Sequence, residues 1–297
     1  MLLGVAVVWG SSYLAAKVVA ADVGVLPTLA LRYGGSALAL GAMVAVAAVR
    51  GRRPVGAAEL RLGLLLGLSQ AAVLALETFG VAGTSATNAG LLIATTILLT
   101  SVVDGVASRR FLPPAFFGAC LVALVGVALL VSGGGFRTPT RGDLLVLAAA
   151  VVRAGHVTAL GRLTRARPVD LVGLTFVQAT VGTVLFAVAD PTGVLRTVAT
   201  AGPAQWAGIA HLALACSVFA FRAQTWAVRR TSASRASLLL GTEPLWAVVV
   251  GVALAGEVLG VAGAAGAALL LLGTTAGQRV EADARGRAAP APVRIVG

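Results

Sequence analysis

Glu243 and Pro244 stand side by side in the middle of a long apolar run. A charge near the centre of a bilayer costs roughly 2.5–3.5 kcal/mol on insertion scales. The proline removes a backbone donor and clashes with the preceding turn. Such a pair needs protein or water around it. Glu243 then either lines a cavity, where it binds a proton or a cationic group, or satisfies backbone donors at the break. Pro244 reads as a kink.

Arg153 is the second residue of this kind, near the middle of another apolar run, with His156 one turn on and on the same face. Arg153 suits an anion, a partner for Glu243, or a buried ion pair that only fixes packing. His156 and His211 read as packed side chains before ligands. Lys17, Arg32 and Glu77 lie at similar depth toward one end of their runs. They could form a salt-bridged outer gate, although snorkelling of Lys17 and Arg32 to the interface is the simpler expectation. Asp104 and Arg222 lie toward the opposite end and could pair as an inner gate. Gly63 and Gly67, and Gly273 and Gly277, are spaced for close helix packing.

The elements that must position these residues are membrane spans. Of 297 residues 58% are hydrophobic and only 11% charged, against about 25% charged in soluble domains, and the mean hydropathy is +0.96. That much apolar surface exceeds one globular core and indicates an integral membrane protein. Runs long enough to cross a bilayer occur at about 2–20, 27–49, 62–80, 87–107, 113–132, 142–160, 168–188, 205–228, 234–255 and 258–277. The fold class is therefore all-α with ten transmembrane helices. The residues after Gly277 are charged and rich in Pro and Ala, and read as a disordered tail over 278–297. The first run lacks a basic leader region, so no cleavable signal peptide is expected. Cys120 and Cys216 lie in apolar runs as small hydrophobes.

The net charge of +12 would suggest nucleic acid in a soluble protein. Here sixteen of the 23 basic residues fall in alternate loops and the tail, three fall in the opposite loops, and four (Lys17, Arg32, Arg153 and Arg222) lie inside spans. This is the bias that orients membrane proteins. It puts both termini in the cytoplasm of a multi-pass protein of the cytoplasmic membrane. Anionic lipid suffices as the polyanion, and no nucleic-acid partner is needed.

The chain also repeats itself. At an offset of 147, Thr84-Ser85-Ala86 meet Thr231-Ser232-Ala233, Leu91-Leu92 meet Leu238-Leu239, Thr95 meets Thr242, Glu77 meets Gln224 and Gly126 meets Gly273. With a three-residue slip in the loops, Trp9 and Ser12 on the first span match Arg153 and His156 on the sixth. Five spans per half, an odd number, make the two halves opposite in orientation, an architecture typical of secondary transporters. Thr96-Ile97 stand where the second half has Glu243-Pro244, and Arg110 where it has Glu257. The Glu-Pro break is thus expected in the second half alone.

Ala236, Leu238-Leu239, Glu243-Pro244, Gly256-Glu257 and Gly273 follow the pattern of the second half of an EamA-type repeat, and Trp9-Gly10-Ser11-Ser12 that of an opening helix. On these residues the chain resembles the EamA-type transporters of the drug/metabolite transporter superfamily, to about Gly277. The resemblance implies two inverted five-helix repeats, 1–135 and 141–277. It implies a secondary transporter that moves a small metabolite, amino-acid-like or drug-like, across the cytoplasmic membrane by alternating access, with export expected. It implies a substrate cavity lined by Trp9, Ser12, Arg153, His156, Glu243 and Pro244, with Glu257 a signature residue that caps a helix start. Partners are then the small molecule and the bilayer, for a monomer or homodimer, and no cofactor or metal is called for. An enzyme is not expected: there is no HExxH, GxSxG, paired aspartate or phosphate loop. A non-transporting sensor or scaffold is the other reading, and a membrane-embedded enzyme a weaker one.

Overall fold

The computed structural model describes residues 2–51, 55–84, 92–109, 111–131, 140–165, 167–231, 233–243, 245–246, 249–250 and 260–288. Pro244, Gly256-Glu257 and the glycine run at 133–135 lie outside the described residues. Within them all regular structure is helical: α1 (Leu2–Val23), α2 (Val25–Val49), α3 (Ala57–Ala82), α4 (Thr96–Ser108), α5 (Pro114–Val131), α6 (Arg141–Arg165), α7 (Leu171–Ala189), α8 (Pro191–Thr200), α9 (Pro203–Arg230, π-helical over His211–Phe219), α10 (Ala233–Leu240) and α11 (Val261–Ala288). Among the described residues seven helices are long and apolar enough to cross a membrane, and the segments Leu92–Ser108 and Pro114–Leu129 are apolar but shorter. Leu38, Val188 and Leu195 are 70% exposed or more. Such an apolar exterior is at home in lipid.

Two elements depart from the sequence reading. A short helix, α8, fills what reads as a loop. The Asp190 side chain accepts from Gly193 N at 2.9 Å and Pro191 occupies the first turn, a strong start signal for a helix. At the other end α11 runs past Gly277 to Ala288. Residues 278–288 are mostly Ala, Arg, Glu and Gln, good helix formers, and the first proline after them is Pro290.

Glycines set the crossings. A Cβ on Gly126 of α5 would strike the backbone of Gly266, Leu269 and Leu270 on α11, and one on Gly273 of α11 would strike Ala119 O and Ala123 on α5. Adding 147 to 119, 123 and 126 gives 266, 270 and 273, so the two contacts are one contact seen from either side. Later residues of α5 meet earlier residues of α11, so these repeat-equivalent helices cross antiparallel. The same holds for α2 and α7, where Gly182 abuts Tyr33 and Gly41 abuts Phe176.

The break before Glu243 is real but is not confined to the second half. Thr242 interrupts the helix, with its N–H and its Oγ1 both directed to Leu239 O, at 3.3 and 2.8 Å. Thr95, its equivalent, does the same toward Leu92 O, at 3.2 and 2.5 Å. A threonine hydroxyl that takes a local carbonyl offers the backbone an alternative to the helix ladder. The first half therefore breaks at Thr95 without a glutamate or a proline.

Candidate functional site

Behind these two breaks lies a small, partly open cavity. Its walls include Ile93 and Leu240, Ala94 and Gly241, and Thr96 and Glu243. Each of these is a pair related by the offset of 147, so the cavity sits where the two halves face each other. Ile97, Arg153, Val157 and Gln224 complete it.

Glu243 is 2% exposed. Its Oε1 accepts a hydrogen bond from the Tyr13 hydroxyl at 2.5 Å. Its Oε2 faces Arg153 Nη1 at 3.7 Å. The Arg153 guanidinium lies over the Trp9 ring, 4.7 Å from its centroid, a cation–π contact that gains strength where water is excluded. Trp9 in turn donates from Nε1 to Cys216 O at 2.9 Å and meets Phe221 edge-on. Trp9 and Tyr13 are one turn apart on α1. That helix therefore holds both charged groups of the cavity, Arg153 through Trp9 and Glu243 through Tyr13. A buried pair of this kind is worth keeping only when its remaining polar atoms are satisfied. Tyr13 performs that task for Glu243.

Glu77 is also buried, and its carboxylate lies within electrostatic reach of Arg153, Glu243 and Tyr13. Among the described residues no ion pair joins it to Lys17 or Arg32. Lys17 is exposed. Arg32 does not snorkel. It is 4% exposed and donates from Nε to Ser217 Oγ at 2.9 Å. The reason lies in the π-helical turn of α9, where Ser217 spends its own hydroxyl proton on Leu212 O and is left as an acceptor. Asp104 and Arg222 are not brought together either. Arg222 Nη1 reaches Met43 Sδ at 3.8 Å instead.

Of the other residues expected at the cavity, Ser12 is turned back onto Trp9 O at 2.8 Å, and His156 shares a hydrogen bond with Ser69 Oγ at 2.8 Å. Neither lines the cavity, and Trp9 reaches it only through Arg153. The three-residue slip that matches Trp9 with Arg153 is not the relation the contacts follow. Trp9 meets Cys216 and His156 meets Ser69, and 147 carries 9 to 156 and 69 to 216. His211 contacts Ser11 Oγ at 3.0 Å and Cys216 Sγ at 3.4 Å. Sequence reasoning missed Tyr13, Thr96 and Gln224 as site residues. Tyr13 carried one signal, its spacing of one turn from Trp9. Thr96 and Gln224 were visible as the repeat partners of Glu243 and Glu77.

The sequence matches the EamA-like transporter family twice, over residues 1–132 and again over 140–276. The chain belongs to the EamA-like transporter family. It is an EamA-type membrane transporter of the drug/metabolite transporter superfamily, and the two matched segments are its two repeats. No curated protein matches it. Among solved structures it is similar to a protein described only as "Crystal structure of protein", at 19% identity over 95% of this chain and 97% of that one, with a TM-score of 0.70. At that identity the likeness concerns the fold alone. Family membership also argues against an enzyme.

Proposed function

We propose that this EamA-type protein is a secondary transporter with ten spans in two inverted five-helix repeats, which moves a small metabolite through the central cavity by alternating access. The observation that carries the reading is the cavity wall built from repeat partners, Ile93 with Leu240, Ala94 with Gly241 and Thr96 with Glu243. Two halves that differ in orientation and share one site can exchange shapes, opening that site to each side of the membrane in turn. The antiparallel crossings of α2 with α7 and of α5 with α11 support the inversion. The helix breaks at Thr95 and Thr242 support the site, because irregular backbone at membrane depth belongs where it lines a cavity.

The arginine-rich alternate loops support a cytoplasmic-membrane location with both termini inside. Export of an amino-acid-like or drug-like compound is the direction we favour. The partners are that compound and the lipid bilayer, for a monomer or homodimer, with no cofactor and no nucleic acid. The driving force is a gradient. A metabolite-uptake screen in inverted vesicles, run with and without a proton gradient, tests this. Protein-dependent accumulation of a small metabolite is expected. A correctly folded protein that moves nothing in either vesicle orientation would favour a sensor or scaffold.

A further inference from the structure

Arg153 has more hydrogen-bonding capacity than its neighbours use. A guanidinium carries five donors in a flat fork. Among the described residues its nearest carboxylate oxygen is Glu243 Oε2 at 3.7 Å, beyond the 2.7–3.2 Å of an N–H···O hydrogen bond. One donor faces the Tyr13 hydroxyl. Stacking on Trp9 occupies the face of the guanidinium and leaves its edge, where the donors are. Arg153 lines the cavity, and Ile93, Ile97, Val157 and Leu240 supply apolar wall beside it.

We propose that the cavity receives the carboxylate of a small organic acid on Arg153, and that Glu243 is a resident carboxylate which this ligand displaces. The inference rests on the transporter reading above. A planar fork matches a carboxylate at two points. Glu243 cannot make that match while Tyr13 holds its Oε1 at 2.5 Å and its Oε2 stands 3.7 Å off. A free ligand can.

Charge decides how the exchange proceeds. Glu243, Glu77, Tyr13 and Arg153 interact with one another, His156 lies within electrostatic reach of Arg153 and is hydrogen-bonded to Ser69, and Arg32 is turned to Ser217. A third carboxylate beside one guanidinium is unfavourable. One proton from solution restores the balance. It bonds to Glu243 Oε2, the oxygen that faces Arg153, while Oε1 keeps the Tyr13 hydrogen bond. The ion pair to Glu243 ends and the ligand carboxylate takes its place. One anion and one proton enter together, and the net charge of the site is unchanged.

The test is equilibrium binding to the purified full-length chain in detergent, followed by tryptophan fluorescence. The probes are hexanoate, hexanamide and hexylamine, which share one apolar body. We expect hexanoate to bind about tenfold more tightly than the other two, a difference of about 1.4 kcal/mol, and more tightly at about pH 6 than at about pH 8. Glu243→Gln should strengthen hexanoate binding about tenfold at the higher pH and remove its pH dependence. Arg153→Met should abolish the preference for hexanoate over hexanamide. Arg153→Lys, which keeps the charge but not the fork, should reduce it. A preference for hexylamine, weaker hexanoate binding in Glu243→Gln, or no saturable hexanoate binding would each overturn the proposal. Binding with the expected signs but no flux in vesicles would reject the transporter reading alone. Flux with the opposite binding signs would reject the carboxylate site alone.

Discussion

The Tyr13 hydroxyl donates to Glu243 Oε1 at 2.5 Å, joining α1 to the break after α10 across 230 residues of chain. Both groups are buried, so neither has water as a substitute partner. Tyr13→Phe keeps the ring and deletes only the donor. A hydrogen bond to a charged group contributes about 1.5–3 kcal/mol, and the variant should lose stability of that order. Denaturant or thermal unfolding in detergent checks it. An unchanged midpoint would mean that Glu243 has another donor.

Arg153 lies within reach of two carboxylates, Glu243 and Glu77, which come from different repeats. Glu243→Gln and Glu77→Gln alone should both fold, since each leaves one anion for the guanidinium. The double variant strands a buried charge, at a cost of about 3–5 kcal/mol. Its expression should collapse, and adding Arg153→Met should restore it. Equal expression of all four proteins, judged by size-exclusion profile, would show that Arg153 needs neither carboxylate.

Gly126 and Gly273 meet backbone across the α5–α11 crossing, whereas a Cβ on Gly118 of the same α5 would meet nothing within 4 Å. Backbone cannot rotate away as a side chain can, and overpacking costs about 1–3 kcal/mol or more. Gly126→Leu and Gly273→Leu should each lower the melting temperature, and by similar amounts, because they touch the same contact. Gly118→Leu should be tolerated. A tolerated Gly126→Leu would contradict the crossing.

Thr192, in α8, should face the outside, and the chain after Gly277 the cytoplasm. A cysteine at position 192 should react with an impermeant maleimide in intact cells. A cysteine at position 278 should react only in inverted vesicles. The reverse pattern would overturn the orientation that the arginine distribution predicts.

The long apolar helices were legible from run length, the break beside Glu243 from its proline, and the equivalence of Gly126 and Gly273 from one fixed offset along the chain. The Thr95 break and the α5–α11 crossing were not, because the first half carries no proline there and an offset does not say which helices touch. The extra helix α8 was legible in principle, from the Asp190-Pro191 start, and was hidden by reading the segment only as a gap between spans. The fate of Arg32 was not legible. Its snorkelling was a statement about one side chain and the nearest interface, and Ser217 on the π-helical turn, 185 residues away, captured it instead.

The sequence by itself determined that this chain is a repeated, all-helical membrane protein with a carboxylate and a guanidinium deep in its spans. Those properties follow from composition, periodicity and charge, which are local and additive along a chain. Only the tertiary structure decided that Tyr13 holds Glu243, that Trp9 underlies Arg153, and that Glu77 comes within electrostatic reach of Arg153 while Arg32 turns to Ser217. A buried polar group must find a partner, so its presence in a span is a demand that can be read from sequence. Which partner answers depends on which helices cross, at what depth and with which faces turned inward. Those distances are set between residues far apart in the chain.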